Sequence, residues 1–96
     1  MIDSFGDAGD FNSIATDSRN KVHISYYEWN GRNLMYATNK SGSWVKKIID
    51  YGVGEYTSIA VDKSDKVHIS YYDKFNRDLR YITNAPRTSV SGNYSK

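Results

Sequence analysis

Two histidines, His23 and His68, are the first residues whose type could carry chemistry. Each sits in the same seven-letter run, Lys-Val-His-Ile-Ser-Tyr-Tyr, at residues 21–27 and 66–72. One histidine repeated in one setting lacks the convergent ligands that a metal site needs. Catalytic use requires an acidic or nucleophilic partner, which spacing alone does not identify. Both are therefore read as buried histidines bonded to a neighbouring strand or blade, and neither metal nor cofactor is expected. The acidic turns at residues 17–20 and 62–65 lack the regular ligand spacing of a calcium loop and read as turns.

The loops offer a richer set. Glu28, Trp29 and Arg32 share one loop; Asp73, Phe75 and Arg77 share its counterpart, and Glu55 and Tyr56 lie in the stretch between. Aromatic planes suit the CH faces of sugars, and arginine with carboxylate groups suits their hydroxyls. These eight residues are the candidate ligand-binding set. A structural reading competes with it: Arg32 and Arg77 could simply pair with Glu28 or Asp73. The tyrosine pairs Tyr26-Tyr27 and Tyr71-Tyr72 read as packing rather than as ligand platforms.

What positions these loops is a repeat. Residues 13–39 align on residues 58–84 without a gap, with 16 identities in 27 positions. Self-similarity at this period marks repeat architectures. Within each unit, residues 13–17 and 58–62 read as a short strand, followed by an Asp/Asn turn and the duplicated strand. Third strands follow at residues 34–38 and 79–83, and residues 44–50 form a fourth. No window shows helical apolar spacing. In the duplicated strand neither face is fully polar, which predicts cover on both sides.

The expected fold is thus all-β, a β-propeller with two four-stranded antiparallel blades. Residues 1–12 are a lead-in, in which Met1-Ile2-Asp3 echoes Ile48-Ile49-Asp50 as the end of an outer strand. Residues 13–50 make the first blade and residues 51–96 the second. The last strand of the second blade, at residues 88–96, is degenerate or exchanged with another subunit, since Ser, Gly and Asn replace the tryptophan strand.

Bulk properties bound the rest. Thirteen basic against eleven acidic residues, with no basic run, argue against nucleic acid. No apolar stretch approaches the ~20 residues of a membrane-spanning helix. The N-terminus lacks the regions of a signal peptide. There is no cysteine to staple the chain, while nine tyrosines, three phenylalanines and two tryptophans favour strands. A chain this short buries only roughly 60–65% of its unfolded surface. Two blades alone leave two apolar faces wet, and patches of that size are rare on soluble monomers. A homo-oligomeric ring covers them: six blades from a trimer are favoured, with a dimer or tetramer as the alternatives.

The run Ser-Ile-Ala-x-Asp-x-x-x-Lys-Val-His-Ile-Ser-Tyr-Tyr resembles the tandem blades of bacterial β-propeller proteins. The first blade departs from that pattern with Glu28 in place of the following Asp. In architecture the chain also looks like the two-blade lectins that trimerise into six-bladed sugar-binding propellers, although their site motifs do not match. The resemblance implies a non-catalytic, lectin-like module that binds carbohydrate on its loop face. A protein-interaction scaffold is the alternative. A glycoside-hydrolase-like enzyme is disfavoured, because such sites need unlike residues from several blades.

Overall fold

The computed structural model describes residues 8–85, in which seven strands form two antiparallel sheets and no helix occurs. The first sheet runs β1 (Ala8–Thr16), β2 (Val22–Glu28), β3 (Asn33–Thr38) and β4 (Val45–Tyr51), in that order. The second runs β5 (Glu55–Val61), β6 (Val67–Asp73) and β7 (Asp78–Thr83). Both are blade-like meanders of sequential strands. The fourth strand expected for the second unit, and the Met1-Ile2-Asp3 echo, lie outside the described residues.

The same turn chemistry builds both sheets. Asp17 Oδ1 accepts the backbone N–H groups of Arg19 (2.9 Å) and Lys21 (3.0 Å). Asp62 Oδ1 accepts those of Ser64 (2.8 Å) and Lys66 (3.0 Å). These side-chain bonds let the chain reverse over Asn20 and Asp65, at φ 62° and 63°, residues that tolerate the left-handed region. Beside the same turns, the side-chain amide oxygens (Oδ1) of Asn39 and Asn84 accept the N–H groups of Val22 and Val67, each at 2.8 Å.

One boundary differs from the sequence expectation. The first strand of each sheet begins earlier, at Ala8 and Glu55, before the apolar run at Ser13 or Ser58. Phe11 and Tyr56 take φ values of 52° and 53°, and the register shifts between Asp10 and Ser13 and between Glu55 and Ser58. Each shift absorbs extra residues as a bulge, so pairing resumes on the far side.

The larger core cluster lies between the sheets, and a second one, Tyr26, Met35 and Ala37 with Ile24 packed against it, lies on the opposite face of the first sheet. In the larger cluster Leu34 of the first sheet meets Ile59, Val67, Ile69 and Tyr71 of the second, joined by Val53 and edged by Ala15, Tyr36, Ile49 and Val61. Polar atoms cross the same seam in matched pairs. The Thr57 hydroxyl donates to Ser25 Oγ at 3.0 Å, the Ile59 N–H donates to Ser13 Oγ at 3.2 Å, and Ser18 Oγ donates to Asp65 Oδ2 at 2.6 Å. Tyr71 donates to Asp50 Oδ2 at 2.6 Å, and Arg80 bridges Asp50 (3.5 Å) and Asp73 (3.0 Å). Burial first, and then the bond to Asp50, holds the Tyr71 phenol well above its usual pKa.

Candidate functional site

Strand pairing brings the candidate loops to one end of the molecule. Glu28 pairs with Asn33, Asn33 with Tyr51, and Glu55 with Tyr72, so the β2–β3 loop and the β4–β5 connection share an edge. Gly54 closes this junction. It adopts φ 132°, and a Cβ there would lie 2.6 Å from Leu34 Cβ. Only glycine supplies both the backbone angle and the clearance.

On this edge four rings meet across the two sheets. Phe11 lies 4.6 Å from Tyr56, 6.4 Å from Tyr27 and 6.4 Å from Trp29, centroid to centroid. Trp29 stands edge-on to Tyr27 at 5.0 Å. Tyr56 leans onward to Tyr72 at 6.3 Å. Tyr27 is buried beneath the others, whereas Tyr56 is 67% exposed. Burial raises the Tyr27 pKa first, the Glu55 charge raises it further, and the Arg32 charge opposes both. Charges of opposite sign, Arg32 from a loop of the first sheet and Glu55 of the second, therefore act on one phenol, and Glu55 also lies 3.9 Å from the Lys74 ammonium.

Of the eight candidates, Trp29, Arg32, Glu55 and Tyr56 gather here. Glu28 spends an oxygen on its own loop, accepting from Asn33 Nδ2 at 3.3 Å. Asp73 is 1% exposed and turned inward; it accepts from the Phe75 N–H (3.0 Å), the Asn76 N–H (3.2 Å) and Asn76 Nδ2 (2.8 Å), besides Arg80. The Asn76 bond leads in pulling its pKa down. Those bonds make Asp73 a loop anchor. Phe75 and Arg77 occupy the second loop, with Phe75 beneath the Lys74 ammonium at 5.7 Å. Arg32 and Arg77 share a backbone feature, left-handed φ values of 56° and 57° at the end of each loop. Sequence reasoning missed Tyr27 as the centre of the patch, although its place at a strand end, beside the Glu28 loop, was the available signal.

Each histidine belongs to a bridge. His23 Nε2 lies 2.9 Å from Asp17 Oδ2 and Nδ1 lies 2.6 Å from the Tyr36 hydroxyl. His68 repeats this with Asp62 (2.8 Å) and Tyr81 (2.6 Å). An ionised carboxylate only accepts, so the Nε2 proton faces the aspartate, and in the neutral ring Nδ1 then accepts from the tyrosine. His23 is 1% exposed, out of reach of a substrate. These bridges pin the β1–β2 turn to β3. Among the described residues no three His, Cys, Asp or Glu side chains converge where they could hold a metal ion.

The bridge has a pH signature. The His23 bond leads in lowering Asp17 from 3.8 to about 2, and the His68 bond lowers Asp62 likewise. A depressed folded-state pKa contributes stability fully above the unfolded value and loses it as pH falls through the folded one. The urea midpoint is thus expected to hold steady above pH 3.8 and to fall between there and about pH 2. Asp17→Asn flattens that fall; an unchanged slope refutes the assignment.

No protein-family model, curated protein or solved structure matches the chain, so the reading of this end rests on its own geometry.

Proposed function

We propose that the chain is a non-catalytic binding module of the β-propeller type, whose aromatic loop end takes carbohydrate. The observation that carries the reading is the Phe11–Tyr27–Trp29–Tyr56 cluster, with Tyr56 67% exposed. Arg32 and Glu55, of opposite charge, both act on its buried phenol, Tyr27. A ring face packs against the CH face of a sugar, and the guanidinium and carboxylate bond its hydroxyls. The two blade-like sheets, seated side by side, support the propeller reading. Support for the absence of catalysis comes from the acidic groups: Asp17, Asp62 and Asp73 are committed to internal bonds. Each site is small, so useful affinity comes from repetition within an assembly.

Binding to an array of glycans tests this directly. Tyr56→Ala and Trp29→Ala are each expected to weaken a bound glycan by about 1 kcal/mol, roughly fivefold in Kd. Failure of the intact protein to bind any glycan overturns the proposal. Capture of a protein partner that sugars do not displace favours a scaffold instead.

A further inference from the structure

The seven letters that the sheets share are covered on opposite sides. In β2 the face of His23, Ser25 and Tyr27 is buried; in β6 it is Val67, Ile69 and Tyr71, in strict alternation. Identical sequence meets the other sheet through opposite faces, because each sheet has its neighbour on the opposite hand. On the first sheet's outer face Tyr26, Met35 and Ala37 are buried as well, while Ile14 stays open. Matched positions show how much is left bare. Leu34 is 0% exposed and Leu79, its counterpart, 62%; Ile59 is 7% exposed and its counterpart Ile14 62%. The His23 side chain is 2% exposed, that of His68 28%. Ser13 receives the Ile59 N–H across the seam, and the matching Ser58 faces outward.

We propose that a second copy of this chain covers these faces, docking head to tail. The His68–Ser70–Tyr72–Leu79 face of one copy takes the Ile14 face of the next. The occupant is argued from the chain itself. The interface is already built once, between its two sheets, and both halves recur on the outer sides. They are open at Leu79 on one and at Ile14 on the other, although Tyr26, Met35 and Ala37 on the Ile14 side are already buried. Shifting by one sheet puts Leu79 where Leu34 lies and Ile14 of the second copy where Ile59 lies. The Ser58 hydroxyl then receives the Ile14 N–H of the second copy, as Ser13 receives that of Ile59. Gly9 of the second copy stands at the place from which Gly54 gives Leu34 its room.

This junction is weaker than the internal one at several places: Met35 stands where Arg80 clasps Asp50 and Asp73, Lys63 and Asn20 stand where Ser18 bonds Asp65, and Asn12 stands where Thr57 bonds Ser25. Association is therefore concentration-dependent. Unlike faces meet, so addition continues until a ring closes, and three copies enclose six sheets. Each junction also adds Phe11 of the second copy to Tyr56 and Tyr72, forming a further aromatic patch. That consequence rests on the carbohydrate reading; the association does not.

Light scattering on the full chain tests the proposal, with 11.0 kDa as the mass of one copy. The expected mass is a multiple of this and falls on dilution. Ile14→Arg and Leu79→Arg each give a single chain, because every junction then carries the change. Their equimolar mixture forms pairs of twice 11.0 kDa and nothing larger, one intact face meeting the other. Circular dichroism verifies that both variants are folded; if either is not, Ile14→Gln and Leu79→Gln replace them. A wild-type chain that keeps the mass of one copy at its highest soluble concentration overturns the proposal. So does a variant that assembles like the wild type, or a mixture of folded variants that forms no pair. Sugar binding is read separately, so either proposal can fail alone.

Discussion

Leu34→Ala is expected to lower the free energy of unfolding by about 2–5 kcal/mol, the usual loss on emptying a well-packed leucine site. The same change at Leu79, measured on dilute single chains, is expected to stay within about 0.5 kcal/mol. The two leucines occupy matched positions and pair with matched tyrosines, Tyr27 and Tyr72. Local propensity and strand register are therefore the same in both. What differs is the neighbour. Leu34 is roofed by Val53, Ile59, Ile69 and Tyr71, whereas Leu79 is 62% exposed. A protein of this size holds roughly 5–14 kcal/mol in all, so the first change consumes a large share of it. Urea titration of both variants reads the contrast. Equal losses in dilute single chains refute the view that the seam between the sheets, and not the hairpins themselves, supplies most of the stability.

That contrast also marks how far sequence reading could reach. Repetition, strand positions and Asp/Asn turns were all visible, because each is set by neighbours a few residues apart. The Asp–His–Tyr bridge was half visible. The sequence reads His23 as buried and bonded without pointing to its partners, Asp17 and Tyr36. The signal lay in the alignment: Asp62, His68 and Tyr81 repeat all three types at the same spacing, outside as well as inside the seven-letter run. The Arg80 clasp left no such trace, because Met35 fills its counterpart position and a single occurrence has no pattern. The pairing suggested for the loop arginines misjudged the carboxylates: Glu28 is bonded by Asn33, and Asp73 by Asn76 and Arg80. The bulges at Phe11 and Tyr56 were invisible for another reason. Aromatic residues seldom mark a left-handed turn, so tertiary packing must impose it.

Gly54→Ala is the second change with a large expected effect, about 2–6 kcal/mol of stability. Two separate costs combine there. A side chain at φ 132° carries backbone strain of about 1–3 kcal/mol. The new methyl would also stand 2.6 Å from Leu34 Cβ and 2.8 Å from Leu34 Cα, and a main-chain atom on a central strand cannot swing aside. Overpacking of this kind costs about 1–3 kcal/mol more. Gly52 separates the two effects, since it has φ 76° but open space around the position of a Cβ. Gly52→Ala is expected to cost only the strain, about 1–2 kcal/mol. If relief comes by movement, the β4–β5 connection must lift from Leu34 and carry Glu55 and Tyr56 away from Phe11 and Tyr27. Gly54→Ala then weakens the aromatic cluster along with the fold, and Gly52→Ala does not. Thermal unfolding, with the fluorescence of Trp29 against that of Trp44, reads both quantities in one sample. Equal effects at the two glycines would remove the close approach to Leu34 as the reason for a glycine at position 54, and with it the coupling between the core seam and the loop end.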